Sequence, residues 1–274
     1  MDLERPRREL ARRALEGLIG PDAGRRAEAA RELVDEDLIV PGSVGVLAVG
    51  CTDPAALGPE DRTRLGPALE QFRRALPARR SLSLVSDDHA LVLVALDAHL
   101  LRLGGLAGLA RRAHEALEHL AIGFSEPCEQ LTDAHRAHEH ARLATRVAAC
   151  APEHPSPAGW ADLGAYRMLA QVAELPGAEG LLHPGLSRLL AQPSSESLVA
   201  TLETYLDNGC DTKLTAEALF LHRASLYYRL QRIESLIGAS LRSGADRLAL
   251  HASLKLARLL GVHPALRGNR ELAA

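Results

Sequence analysis

Thr212-Lys-Leu-Thr-Ala-Glu-Ala-Leu-Phe-Leu-His222-Arg-Ala-Ser-Leu-Tyr-Tyr-Arg-Leu-Gln-Arg-Ile233 decides how the rest of the chain is read. It spells two helices joined by a tight turn at Phe220-Leu221. Asp211 or Thr212 can cap the first, in which Leu214, Ala218 and Leu219 are expected to face inward. The second starts near His222. Its Leu226, Leu230, Ile233 and Ile237 fall on one stripe, and Gly238 ends it. At 100° per residue, Ala224, Ser225, Tyr228, Gln231 and Arg232 lie away from that stripe. Arg229 flanks one side, and Arg223 with Tyr227 the other. Small residues at the helix entry allow close approach to base edges and phosphates, Arg forks onto guanine, and Ser and Tyr suit phosphate oxygens. The pattern points to a helix of about 222–237 seated in the DNA major groove, contacted through Lys213, His222, Arg223, Ser225, Tyr227, Tyr228, Arg229 and Arg232. The competing reading is a helical hairpin with a solvated polar face.

Upstream, Leu198, Leu202, Tyr205 and Leu206 recur at helical spacing before Asn208-Gly209, and everything from Glu196 onward reads as helix. The first half of the chain has a different grammar. Residues from about 5 to 36 form one or two helices, broken at Gly20-Pro21-Asp22 with Asp22 as cap. Strand-length apolar runs follow at 43–49, 81–85, 90–96 and 120–124, with helices at about 59–76, 104–118 and 128–149. Ser86-Asp87-Asp88-His89 has the composition of a hairpin turn. This order fits a ferredoxin-like sheet covered by helices. The chain is therefore expected to be α+β: helices over 1–42, an α/β domain over 43–169, a linker over 170–195, an all-α domain over 196–262 and a tail over 263–274.

The 274 residues suffice for two domains. A net charge of −3 excludes nucleic-acid binding through overall charge and leaves room for a local basic face. Arg5, Arg7, Arg8, Arg12 and Arg13 form a second basic cluster, read as a solvated helix face, with added phosphate contacts as the alternative. Cys51, Cys128, Cys150 and Cys210 are far apart and contain no CxxC pair, so neither a zinc site nor a disulfide framework is indicated. Neither a signal peptide nor a membrane-spanning run is evident, and a cytoplasmic location is expected.

The helix-turn-helix resembles that of the PucR/CdaR transcriptional regulators, the purine-catabolism and sugar-diacid regulators. The carrying segments are Leu202-Glu-Thr-Tyr-Leu206, the run from Thr215 to Glu234, Leu236-Ile-Gly-Ala-Ser-Leu241 and Asp246-Arg-Leu-Ala-Leu250. Its hydrophobic frame is also similar to the Fis-type helix-turn-helix. Ala224 stands where the family usually has Asn. Leu15-Glu-Gly-Leu-Ile-Gly20, the strand at 43–49, the 119–127 segment and Trp160-Ala-Asp-Leu-Gly-Ala-Tyr-Arg-Met-Leu169 resemble the family's degenerate GGDEF-like domain and its exit. Many relatives carry a separate sensor domain before this point, and the chain is expected to start too late to hold one.

The resemblance implies a sequence-specific DNA-binding regulator acting as a homodimer on double-stranded DNA. Its GGDEF-like domain would serve dimerisation or signal input, with an effector left unidentified and no membrane association. The alternative is a small-ligand or protein-binding module whose helical domain mediates assembly. No catalytic residue, cofactor or metal is expected. A diguanylate cyclase needs metal-binding carboxylates and glycines at the phosphates. Here Ser86-Asp87-Asp88-His89-Ala90 lacks both glycines, and Val49-Gly50-Cys51-Thr52 offers no carboxylate before Asp53. An inert fold and a vestigial small-molecule site both stay open. His135 and His138, at i and i+3, find no third ligand and neither zincin spacing, so they read as a solvated helix face. Gly104-Gly105-Leu-Ala-Gly108 lacks the phosphate-loop spacing and reads as a helix start.

Overall fold

The computed structural model describes residues 4–50, 79–85, 89–117 and 120–262, with single positions 67, 69 and 76. Of the expected helix at 59–76 only positions 67, 69 and 76 are described, and residues 86–88, Cys51 and Asp53 lie outside the described residues. The chain divides into two compact units, Met1–Arg167 and Met168–Ala274.

The first unit opens with α1 (Glu4–Ile19) and α2 (Ala23–Asp35). Asp22 caps α2 by accepting from Arg25 N at 2.7 Å. On α1, Arg7, Arg8, Arg12 and Arg13 are exposed, and Arg12 bridges Glu9 and Glu16 at 3.0 and 2.9 Å.

Strands β1 (Val44–Gly50), β2 (Ser81–Val85), β3 (His89–Ala95) and β4 (Ala121–Phe124) form a sheet in the order β2-β3-β1-β4. All these neighbours are antiparallel, with Gly50 opposite both His89 and Ala121. This is the ferredoxin-like arrangement, extended by β5 (Ala158–Gly159) running parallel to β4.

Every residue of β1 is buried because helices cover both sheet faces. Alternation along the strand sends Val46 and Ala48 into one core with Leu15 and Leu18 of α1, Leu33 of α2, and Ala137 and Ala141 of α5 (Ala134–Cys150). Leu47 and Val49 enter the opposite core with Leu106, Leu109, Ala110 and Ala113 of α4 (Gly105–Ala116). The short α3 (Ala98–Arg102) leads into α4 and is capped by Asp97.

Helix α5 begins later than the expected residue 128. Cys128 pairs its backbone with Val44 through two hydrogen bonds of 2.8 and 2.9 Å, which keeps the chain extended there. A 3₁₀ turn at Leu131–Asp133 then starts the helix. The histidines of α5 are also not a solvated face. His138 meets His89 with Nε2 atoms 2.8 Å apart, His140 stacks on buried Trp160 at 4.5 Å, and His135 Nδ1 lies 3.1 Å from Thr132 O. Desolvation holds the His140 imidazole below its ordinary pKa. Among the described residues no cluster of three or more His, Cys, Asp or Glu could hold a metal. Burial raises the Cys128 thiol to about 11, which leaves it protonated at neutral pH.

The second unit is helical. It comprises the end of α6 (Tyr166–Val172), then α7 (Pro184–Leu190), α8 (Glu196–Asp207), α9 (Thr212–Ala218), α10 (Arg223–Ile237) and α11 (Gly244–Leu260). The stretch read as a linker, 170–195, thus contains a helix with Leu186 and Leu189 fully buried, and α7 packs on α10. No helix among the described residues is long and apolar enough to cross a membrane.

Helix α5 approaches the sheet closely at Gly123. A Cβ there would lie 2.2 Å from Thr145 N and 2.4 Å from Ala141 O of α5. The same spot is tied by Thr145 Oγ1 donating to Ala48 O at 3.0 Å. Gly123→Ala should therefore force α5 off the sheet and cost about 3 kcal/mol. A thermal melt of the variant should show the transition of the first unit lowered by several degrees, and an unchanged melt would refute the close-packing account.

Candidate nucleic-acid interface

Packing fixes which face of α10 looks outward. Leu226, Leu230, Ile233 and Ile237 are all buried, as the stripe in the sequence predicts. α10 packs on α8, where Val199, Leu202 and Leu206 are likewise buried, and on α7. On α9 the phase differs from the expectation. Leu214 and Ala218 are exposed and Leu219 is half-buried, whereas Thr215 and Ala216 are buried. Asp211 sets this phase, since its Oδ1 accepts from Lys213 N at 2.7 Å and Leu214 N at 2.9 Å and so defines where α9 starts.

The entry to α10 is capped by His222, whose Nδ1 accepts from Ala224 N at 3.3 Å. Its exit is held by α7. Arg188 Nη2 donates to Ile237 O at 2.6 Å and its Nε to Leu236 O at 3.3 Å, satisfying carbonyls left open at a helix C-terminus. Gly185 makes this approach feasible, because a Cβ there would lie 2.2 Å from Ile237 O. Beyond α10, Glu234 accepts from Leu241 N at 2.8 Å and Ser243 caps α11.

The structure sorts the eight expected contact residues into three groups. Ser225, Tyr228 and Arg232 are exposed and, with Arg229, form one wall of an open groove of about 630 Å³. Gln192, Ser194 and Ser197 line it too, and no pattern in the sequence singles them out. Arg229 is half-buried and donates from Nη1 to Thr201 Oγ1 of α8 at 3.2 Å, so it braces α10 as well as bordering the groove. The second group, Arg223 and Tyr227, is exposed on the other flank. Hydrogen bonding to Thr212, and then the Arg223 guanidinium, hold the Tyr227 hydroxyl below the usual phenol range. That contact links α10 to the first residue of α9. The third group is Lys213, exposed beside Thr212, and His222, exposed at the helix entry.

Beneath this surface, α8 and α11 are joined by a largely buried ionic cluster. Arg258 Nη2 donates to Glu203 Oε2 and Oε1 at 2.6 and 2.7 Å. Lys255 Nζ reaches Glu203 at 3.3 Å and Asp207 at 2.9 Å, and His251 Nε2 meets Asp207 Oδ1 at 2.7 Å. Burial raises the Asp207 carboxyl, but hydrogen bonds from His251 and Lys255 outweigh it and hold the group below the ordinary carboxylate value. These two carboxylates of α8 are thus engaged by α11.

Residues 198–256 match the PucR C-terminal helix-turn-helix domain, and residues 27–147 match the GGDEF-like domain. Three curated regulators are similar over part of the chain. The purine catabolism regulatory protein of Bacillus subtilis is 36% identical over 69 residues, which is 25% of this chain and 13% of that protein. The proline-responsive transcriptional activator PutR of the same organism is 35% identical over 102 residues, 36% of this chain and 25% of that one. The carbohydrate diacid regulator of Escherichia coli is 38% identical over 71 residues, 26% of this chain and 18% of the regulator. The chain thus spans at most a quarter of the length of these relatives.

Removing the shared carboxylate should expose how much the platform depends on it. Glu203→Ala leaves Arg258 and Lys255, each 7% exposed, without that partner and should cost about 3–5 kcal/mol. Chemical denaturation followed by circular dichroism measures this, and a loss under about 1 kcal/mol would show the cluster to be incidental. Asp207 adds a pH dependence. Its folded pKa lies below the unfolded one, so its contribution is present above the unfolded carboxylate range and is lost as pH falls through the folded value. Melts between pH 3 and 7 should show stability falling below about pH 4, with Asp207→Asn flattening that fall.

Proposed function

Because the chain combines a GGDEF-like domain with a PucR-type helix-turn-helix, we propose that it is a sequence-specific DNA-binding regulator of transcription. The observation that carries this reading is the exposed face of α10. Arg223, Ser225, Tyr227, Tyr228 and Arg232 stand out from a helix whose apolar stripe is wholly buried and whose two ends are both capped. α10 enters the major groove, with Arg232 and Tyr228 on one flank, Arg223 and Tyr227 on the other, and Lys213 and His222 at the entry. Arg229 acts mainly by positioning α10 through Thr201.

A single module of this size contacts few base pairs, so the working form is a homodimer on paired half-sites, with the GGDEF-like domain and the segment after it as the interface. The division of labour follows the boundaries read from the sequence: signal input or dimerisation from 43–169 and DNA reading from 196–262, with α7 as a brace for α10. Among the relatives, one is called proline-responsive and another a carbohydrate diacid regulator. A small-molecule effector is part of the proposal on that ground. The GGDEF-like domain is catalytically inactive in this reading and needs no cofactor. Its signature turn lacks both glycines, and His89, at the second acidic position, is joined to His138. The protein works in the cytoplasm.

Genomic fragments retained by the purified chain supply a test duplex. Arg223→Ala and Arg232→Ala should each weaken its binding about tenfold and lower the slope of log affinity against log salt by roughly 1. Fluorescence anisotropy across a salt series measures both. Retention with no salt dependence, or none at all, would favour a helical domain that serves assembly.

A further inference from the structure

The turn between α9 and α10 holds a residue that its own fold does not explain. Phe220 has φ of +52°, in the left-handed region, and is 95% exposed. It occupies the position just after the C-cap of α9, where Leu221 N donates to Ala216 O at 2.8 Å and Phe220 N to Glu217 O at 3.1 Å. Glycine is the ordinary choice there, because a Cβ in this conformation crowds the backbone. Elsewhere among the described residues, the non-glycine positions with positive φ are Asp37, Arg79, Ser194 and Cys210, none of them a large apolar side chain.

Phe220 therefore carries two costs, a strained backbone and a solvated phenyl ring, and intramolecular packing offsets neither. Strain of this kind persists where function requires it. The ring also has company. Of the aromatic residues described, Trp160, Tyr166 and Tyr205 are buried and Phe124 is half-buried, whereas Phe220, Tyr227 and Tyr228 are exposed and fall within nine residues of one another. Two exposed cations lie near it in sequence, Arg223 following and Lys213 at the head of the preceding short helix. A second copy of an apolar surface gains nothing from such neighbours, whereas a polyanion with apolar sugar faces does.

We propose that Phe220 is a DNA-positioning residue: its ring packs on the deoxyribose edge of the backbone that borders the groove entered by α10. It supplies an apolar contact between the phosphates taken by Lys213 and Arg223 and fixes how deeply the helix seats. This inference rests on the DNA-binding reading above, and the experiment separates the two.

The test uses the full chain and the duplex selected from genomic fragments, with Phe220→Gly, Phe220→Leu and Arg232→Ala measured side by side. Phe220→Gly relieves the backbone and removes the ring. It should melt at the wild-type temperature or a few degrees higher while binding DNA about tenfold more weakly, with the wild-type salt slope, since no charge is lost. Phe220→Leu should keep most of the affinity. A residue with a merely structural role would lose stability and affinity together. Wild-type affinity in Phe220→Gly overturns the inference and leaves the DNA-binding reading intact if Arg232→Ala still weakens binding. Loss of the dimer in Phe220→Gly, read by light scattering, also overturns it, because the ring would then face another copy. Failure of the wild-type chain to hold any duplex removes both.

Discussion

Everything proposed about the second unit depends on one apolar stripe. Leu226, Leu230, Ile233 and Ile237 recur at the spacing that keeps them on one side of α10, and all four are buried. Burying a Leu or Ile side chain is worth roughly 1.5–3 kcal/mol, so rotating the helix by even a quarter turn would forfeit more than any surface contact could return. That penalty, and not any property of the polar residues, determines which side chains face outward. Arg223, Ser225, Tyr228 and Arg232 are outward because they are what remains.

The stripe sets rotation, and the ends set position. His222 caps the entry, while Arg188 and Gly185 hold the exit from a helix that lies outside the helix-turn-helix itself. The cluster joining α8 to α11 then fixes the helix against which α10 packs. Its Lys255 and Arg258 are almost fully buried, and Glu203 and Asp207 offset solvation that they lose. A helix anchored on all sides has little freedom left to lose on docking, which in the proposed DNA-binding role favours affinity without additional contacts.

The sequence made some of this legible and hid the rest for definite reasons. Strands β1, β2 and β3 could be read within a residue because apolar runs of strand length were bounded by turn residues. α10 could be read because its stripe and its terminating Gly238 agree. The phase of α9 is not legible: with seven residues it is too short for periodicity to decide, and the hydrogen bonds of Asp211 define its start. The start of α5 was misplaced since Cys128 pairs with Val44, a partner 84 residues away that no local pattern reveals. The histidines of α5 looked solvated for the same reason, as His89 and Trp160 meet them only in the folded unit. In sequence Arg229 is indistinguishable from its neighbours on α10, because Thr201 lies 28 residues away.

The first unit shows how a fold can outlast a signature. The two cores that flank β1 draw on α1, α2, α4 and α5. The sequence at 86–88 lacks the glycines of the signature, while the strands on either side keep the ferredoxin-like order. Gly123 is constrained in the opposite sense. It lacks a side chain because α5 crosses it at contact distance, so packing alone retains the glycine there. A glycine in such a chain can thus report on chemistry or on packing, and only the distance to the neighbouring backbone distinguishes the two.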